Sequence, residues 1–323
     1  MDIHQIKRDL GVDWDNFATF FRQTVQSEVP LINEVNEYIL QRRGKQLRPV
    51  LTLLVARLLG SVNKSVHIAA CSIEMLHTAS LLHDDVVDNA DHRRGAASVK
   101  AAWKSPIAVL TGDYWLSKAS QLIVENNEIR LMPLFVNCLL NLSEGELFQL
   151  QKTVSLDTTE EDYFKIIEKK TAILFATSMA AGAITTNASE DKIKLMYDIG
   201  YNMGIAFQIR DDTFDYELKN KAGKLSGNDI KEQKMTLPLL CALKQVDNDK
   251  RQEIKSWIKD ADREQKNVSQ VIKFVNDHQG VLKASEKMQE YRQKAINLLQ
   301  QLPDSEERQA LIALSEYMAS RKK

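Results

Sequence analysis

The 323-residue chain holds only three cysteines, Cys71, Cys138 and Cys241. They are widely spaced and form no CxxC pair, which excludes a disulfide framework and a zinc knuckle. A reducing, cytoplasmic setting is the expectation. Glycine (12) and proline (6) stand at about half their usual share or below. So few turn-formers exclude a fold built on many hairpins or βα loops. Neither charge is in surplus: 43 Lys and Arg face 44 Asp and Glu, a formal net charge of −1. General nucleic-acid binding needs excess cation to displace phosphate counterions, so it is excluded. No run of about 18 uncharged apolar residues occurs, so no transmembrane segment is expected. The best run, 49–59, is cut by Arg57, and a peripheral contact with a membrane stays open. The N-terminal MDIHQIKRDLGVDWD is charged and lacks the apolar core of a signal segment. No Ser-His-Asp or Cys-His arrangement stands out, so no protein nucleophile is expected.

What the chain does have is apolar content, 44% hydrophobic against 27% charged residues, enough for a large core. Its dominant periodicity is helical. Apolar helical segments are expected over 50–59, 66–87, 107–124, 131–150, 162–184 and 192–214, and a further helix opens at Thr236-Leu237-Pro238. The polar stretch 219–234 reads as a loop. From Asp247 onward charged and apolar residues alternate as in shorter amphipathic helices. No period-2 strand run and no solenoid repeat appears. The expectation is one all-α domain over residues 1–323, of roughly a dozen helices.

The most informative segment is Leu81-Leu82-His83-Asp84-Asp85-Val86-Val87-Asp88. Asp84 and Asp88, four apart, share one helix face about 6 Å apart along the axis, and Asp85 sits roughly a third of a turn away. Like charges so placed repel, so the cluster is costly unless a cation sits there. Magnesium suits it: the ion takes carboxylate oxygens, keeps some waters and bridges to substrate phosphates. A single DDxxD is weak, because a solvated helix end carries the same letters. The spacing recurs, however, in Gln208-Ile209-Arg210-Asp211-Asp212-Thr213-Phe214-Asp215, again ending an apolar helix. Two such clusters are hard to read as solvated helix ends.

Cations surround them in sequence: Lys45 and Arg48 in GKQLRP, Arg93-Arg94-Gly95, Lys170-Thr171, Lys224 and Lys234. Arginine offers phosphate a planar fork, and lysine a compact point charge. Taken singly, most read as solvated surface charges. Lys170 does not, because Ala172, Ile173, Leu174 and Phe175 imply burial, and a buried lysine needs a partner. Carboxylates plus cations point to a polyanion held through metal, a diphosphate, and the apolar helices point to a hydrocarbon tail.

GKQLRP, LLHDDVVDNADHRRG, KKTA, FQIRDDTFDY and GNDIKEQKMTLP resemble, in order and spacing, the motifs of the trans-polyprenyl diphosphate synthases. The resemblance runs over about 32–240. It implies an all-α, barrel-like bundle of antiparallel helices around a central cavity, the isoprenoid synthase fold, usually dimeric. It implies that Asp84 and Asp88 bind magnesium on an allylic diphosphate, and that Asp211 binds a further magnesium, with Asp212 and Asp215 supporting it and Asp85 completing the first motif. Lys45, Arg48, His77 and Arg94 match positions that hold isopentenyl diphosphate. Arg93, Lys170, Thr171, Gln208 and Lys234 match positions that hold the allylic partner, as Lys224 does more loosely. Gln233 departs from the pattern, which has glycine before this lysine. His77 lies two turns below Asp84 on nearly the same face, whereas His83 and His92 read as structural. Gly145-Glu146 and Gln149 are also similar to family positions, with core hydrogen bonding the competing reading.

The implied reaction ionises the allylic C–O bond against metal and cations. The double bond of isopentenyl diphosphate attacks the carbocation, a proton leaves to pyrophosphate, and an apolar cavity keeps water out. Product length depends on side chains below the first cluster, since one helical turn rises about 5.4 Å, near one isoprene unit. Ser80 lies about 40° from Asp84 and faces the cavity, and Ala79 about 140° away. The family implicates both, and both are small. A medium- to long-chain product, heptaprenyl to decaprenyl, is expected; the alternatives are a farnesyl or geranylgeranyl synthase, or a non-catalytic partner subunit of such a synthase. A terpene cyclase lacks the second aspartate cluster. A homodimer, or pairing with a small heterologous subunit, is the implied assembly.

Overall fold

The computed structural model describes residues 1–216, 227–261 and 264–320. Those residues form α1 (Ile3–Leu10), α2 (Val12–Thr24), α3 (Pro30–Gln41), α4 (Leu47–Leu59), α5 (Lys64–Val87), a minimal hairpin β1 (His92–Arg93) and β2 (Ala96–Ala97), α6 (Val99–Trp103), α7 (Ser105–Glu125) and α8 (Met132–Ser155). Next come α9 (Glu160–Ile167), a π-helical turn (Glu168–Ala172), α10 (Ile173–Thr185), α11 (Glu190–Thr213), α12 (Asn228–Lys231), α13 (Leu237–Leu243), α14 (Asn248–Lys259), α15 (Gln265–Asp277), α16 (Gly280–Leu299) and α17 (Glu306–Ser320). The all-α expectation holds. Four details depart from the sequence reading: the segment 162–184 is not one helix but α9, a π-helical turn and α10; a two-residue hairpin follows the first aspartate cluster; α12 lies inside the stretch 219–234 read as a loop; and the described residues form seventeen α-helices rather than about a dozen.

Local chemistry starts these helices. Asp2 accepts from Gln5 N at 2.9 Å, Asn63 from Val66 N at 3.1 Å and Ser98 from Ala101 N at 3.1 Å, each meeting an amide that helix geometry leaves unpaired. Thr159 and Asp162 close a capping box on α9. Pro30 and Pro106 stand in the first turns of α3 and α7, where the missing N–H has no partner to lose.

The chain divides into two compact units. Unit 1 takes residues 1–140, 174–200 and 298–314. Its centre is α5, which packs against α4, α7, α2 and α6. Helix α4 is apolar all round, with Leu47 and every residue from Pro49 to Ala56 buried, the mark of an interior helix. The Thr52 hydroxyl donates to Ser178 O of α10 at 2.9 Å. The two helices approach so closely that a Cβ on Gly182 would lie 2.6 Å from Thr52 O. The buried Asn36 is paired on both sides: Trp115 Nε1 donates to Asn36 Oδ1 at 2.7 Å, and Asn36 Nδ2 to Val25 O at 2.5 Å.

Unit 2 takes residues 141–173, 201–297 and 315–323. Its core gathers Tyr163 and Ile167 of α9, Ile205 and Ile209 of α11, the buried α13, and Val268, Val271, Ile272 and Val275 of α15. Helix α13 packs on α9 and α15, and α15 on α14 and on the 3₁₀ turn Phe214–Tyr216 that follows α11. Tyr216 OH pairs with Thr236 Oγ1 at 2.9 Å, and Asn276 Nδ2 donates to Tyr216 O at 2.9 Å. This fixes the chain just beyond the second aspartate cluster.

Candidate active site

In unit 1, α5 ends on the first cluster. Asp88 caps the helix, its N–H bonded to Asp84 O at 2.8 Å. Asp84 and Asp88 are half-buried, whereas Asp85 is 2% exposed. Burial raises the Asp85 carboxyl pKa, and Arg93 opposes the rise by donating Nε to Asp85 Oδ1 at 2.6 Å. Arg93 lies on β1, whose partner pairs His92 with Ala97 and Arg93 with Ala96. The two-residue loop is therefore Arg94-Gly95, both at positive φ (53° and 78°), the pattern that matches strand twist in tight hairpins. Arg94 donates Nη1 to Arg42 O at 3.1 Å. It comes so close to the GKQLRP turn that a Cβ on Gly44 would meet its guanidinium at 2.7 Å. That close approach is the physical reason for glycine at position 44.

The same turn carries Lys45, exposed, and Gln46, buried at φ 50°. It delivers Arg48 to the first turn of α4. The Arg48 guanidinium stacks over the Phe175 ring at 5.1 Å, while its Nε is buried without a hydrogen-bond partner. Burial lowers the Arg48 pKa to about 10, so it stays charged at neutral pH. His77 Nδ1 is also buried without a partner. Burial, then Arg48, Arg94 and Arg93, hold the imidazole pKa well below its ordinary value, so it is neutral. One turn below stands Glu74, 6% exposed, which the sequence reading missed. Burial raises its pKa against the pull of Arg48, Arg94, Lys7 and Arg43. Its one sequence signal was an acid on an otherwise apolar helix. Arg48, Arg93 and Arg94 thus all act electrostatically on His77. Ala79 is fully buried and Ser80 half-buried, its hydroxyl bonded to His77 O at 2.9 Å. Farther down α5, Ala69, Ser72 and Ile73 join Ile123, Phe135 and Thr177 around a narrow, mostly apolar slot whose cavity volume is about 10 Å³. His83 contacts Val109 O at 3.3 Å and Asp113 at 3.3 Å, in keeping with a structural role.

In unit 2, the π-helical turn carries Lys169, Lys170 and Thr171. It packs so tightly on α8 that a Cβ on Gly145 would lie 2.7 Å from Lys169 Cβ. Lys170 is only partly buried and pairs with Glu146, and Lys169 pairs with Glu144 at 2.6 Å. Thr171 Oγ1 donates to Gln208 Oε1, and Gln208 Nε2 to Asp212 Oδ1, each at 2.7 Å. Asp212 is 5% exposed, and burial pushes its pKa up to about 7. Asp211 beside it is half-buried. Asp215 Oδ2 accepts from Asp229 N at 2.6 Å, a contact no motif announced. Lys234 N donates to Asp229 O at 2.8 Å, and its ammonium pairs with Glu232 at 2.7 Å. Gln233 sits at φ 58°, a left-handed conformation that costs a side-chain-bearing residue about 1–2 kcal/mol. This explains why the resemblance expects glycine there. Here Gln233 Nε2 donates to Lys259 O at 3.1 Å. Lys224 lies outside the described residues.

Among the described residues no three His, Cys, Asp or Glu side chains form a metal cage by themselves.

A family model described as polyprenyl synthetase matches residues 29–275. The octaprenyl diphosphate synthase of Haemophilus influenzae is 34% identical over 316 residues, 98% of this chain and 96% of that protein. The heptaprenyl diphosphate synthase component 2 of Bacillus subtilis is 33% identical over 318 residues, 97% of this chain and 89% of that protein. Among solved structures, a polyprenyl synthase from Caulobacter crescentus CB15, complexed with calcium and isoprenyl diphosphate, superposes with a TM-score of 0.92. It is 30% identical, over 100% of this chain and 98% of that one. The chain belongs to the polyprenyl synthetase family.

The neutral, buried His77 gives a pH prediction. Its folded pKa is depressed, so its contribution is full above the unfolded pKa near 6.5 and is lost as pH falls below it, because the unfolded chain takes up the proton. Urea midpoints of the substrate-free chain measured from pH 7.5 to 5 should fall less steeply in His77→Gln than in the parent. Parallel curves would contradict a desolvated imidazole.

Proposed function

We propose that this chain condenses isopentenyl diphosphate head-to-tail with an allylic prenyl diphosphate to a medium- or long-chain all-trans product. The observation that carries this is in unit 1. A carboxylate pair at i and i+4 ends the same helix that bears His77, Glu74 and the apolar slot, with Arg48, Arg93 and Arg94 grouped around His77. Such a set suits a diphosphate head with a hydrocarbon tail.

Asp84 and Asp88 would hold a divalent metal, magnesium by donor chemistry, as would Asp211. A metal held there would supply positive charge against the departing diphosphate. The rest is the work of side chains. Lys45, Arg48, His77 and Arg94 hold isopentenyl diphosphate; because His77 is neutral, it adds a hydrogen bond without competing with the arginines for the anion. Arg93, Lys170, Thr171, Gln208 and Lys234 serve the allylic diphosphate, and Lys224 is kept from the sequence reading. Asp85 serves by orienting Arg93, and Asp215 is steadied by the Asp229 amide. Fixed cations stabilise the leaving group without reorganising during ionisation. The mostly apolar lining of the slot keeps bulk water from a carbocation.

The slot residues Ile73 and Ala69 stand 11 and 15 positions before Asp84, about 17–23 Å along a helix. Ala79 and Ser80, nearer the carboxylates, are small. Both features support a long product, and the relatives named octaprenyl and heptaprenyl synthases agree. For assembly, the part of α8 in unit 2 carries Leu147, Leu150 and Val154, between 39% and 86% exposed, on one face by their spacing of 3 and 4. A stripe of this kind marks an interaction surface, and its occupant is a second copy of the chain.

Three measurements test these readings. Magnesium-dependent pyrophosphate release should require both substrates, and Asp84→Ala or Asp88→Ala should lower turnover by about 10²–10³-fold; near-normal turnover across a magnesium titration contradicts the assignment. Mass analysis of the product should give 35 carbons or more by the chain-length reasoning, roughly one isoprene per turn, and Ser80→Phe should shorten it. A fifteen-carbon end point in the parent sinks the length reading. In light scattering the chain should be a dimer that Leu147→Glu dissociates; a parent monomer active only with added small subunit would instead assign the stripe to a heterologous partner.

A further inference from the structure

One hydrogen-bonded path in unit 2 begins at a residue that none of the recognised motifs contains. Thr171 in the π-helical turn donates to Gln208 Oε1, which leaves Gln208 Nε2 to donate to Asp212 Oδ1, each bond 2.7 Å. The second Asp212 oxygen accepts from Tyr163 OH of α9 at 2.5 Å. Tyr163 is 3% exposed and Asp212 5%. Both oxygens of this carboxylate are therefore engaged by donors inside the unit.

Consecutive residues on a helix point about 100° apart, so fixing Asp212 inward fixes the direction of Asp211 and the start of the turn that carries Asp215. Left to themselves, three carboxylates on one helix end repel and favour rotating the buried one into water. A phenol donor to a carboxylate, short and charge-assisted, opposes that rotation. The Tyr163 ring meets Phe164 edge-on at 5.4 Å, so phenylalanine at 163 keeps the packing and loses only the donor.

We infer that Tyr163 is the positioning residue of the second aspartate motif. Through Asp212 it sets the carboxylates of Asp211 and Asp215, and through Gln208 and Thr171 it ties them to the turn that bears Lys170. This rests on the proposed reading that Asp211 serves metal and diphosphate binding. Tyr163 touches no reacting atom in this scheme; it acts through Asp212.

The test compares the full-length parent, Tyr163→Phe, Asp212→Asn and the double variant. Two readouts are used: the magnesium concentration for half-maximal condensation, and the rise in Tm that magnesium plus inorganic pyrophosphate causes. Tyr163→Phe should raise the magnesium requirement about tenfold and shrink the Tm rise. Its kcat at saturating magnesium and its KM for isopentenyl diphosphate should stay within about threefold of the parent. In the Asp212→Asn background Tyr163→Phe should add nothing to either readout, as expected for residues acting as one unit. Additive effects would show that Tyr163 does not act through Asp212, and parental magnesium dependence in Tyr163→Phe would show that it positions nothing; either overturns the proposal. The metal-free chain separates the two levels. Coupled losses of Tm there, with an unchanged magnesium requirement, overturn the reading of Asp211 as a metal ligand and the proposal with it. Uncoupled losses overturn the hydrogen-bonded path alone.

Discussion

Clustered like charge at the end of an apolar helix is the constraint from which the rest of the structure follows. Three aspartates within five residues repel in the absence of a cation, and the repulsion grows as neighbouring side chains exclude water. Each unit answers it in the same way. The middle aspartate turns inward and is met by a donor of its own: Arg93 for Asp85, Tyr163 and Gln208 for Asp212. The remaining carboxylates are less deeply buried in the first motif, and in the second Asp211 is. The motif is therefore not three equivalent ligands. One member pins the helix end, and the spacing of the others is set by helical rise.

A second consequence falls on the backbone. Several of the cations expected at the site stand on or beside backbone that departs from regular helix. Arg94 sits at φ 53° in a two-residue turn, Gln46 at φ 50° before Arg48, and Gln233 at φ 58° before Lys234. Lys170 stands in a π-helical turn rather than an α-helix, the kind of local widening that accumulates at functional sites. Glycine appears where another group passes close by: Gly44 under the Arg94 guanidinium, Gly145 under the lysines of the π-helical turn. A methyl group at either place would force those cations to move. Much of the scarce glycine in this chain is spent on such approaches.

This division explains what could be read from the sequence. Helical periodicity, the two DDxxD clusters and the cation-bearing motifs are local patterns, and their positions needed no partner to be recognised. The need of Lys170 for a counter-ion was legible from four apolar neighbours, and Glu146 answers it, though the side chain is only partly buried. The π-helical turn was not legible, because Lys-Lys-Thr-Ala has ordinary α propensity and only packing against Gly145 selects the wider turn. Glu74 and Tyr163 escaped for a related reason. An acid among apolar helix residues and a tyrosine in an amphipathic one are common, and what distinguishes them is the set of groups opposite, which lie far away in sequence. The strand pair at 92–97 is too short to leave a period-2 signature.

The two small residues below the first cluster show how burial sharpens a family expectation. Both are implicated in product length, yet their surroundings differ. Ala79 is fully enclosed, so a ring placed there has no free space and must displace packed neighbours at a cost of about 1–3 kcal/mol. A shortened product from such a variant would mix loss of tunnel depth with a rearranged core. Ser80 keeps partial exposure, and its hydroxyl bonds only to the helix's own carbonyl at His77. A larger side chain can extend from it without first breaking the core. Position 80 is thus where a larger side chain disturbs the packed core least, and helical geometry from Asp84 picks the same residue.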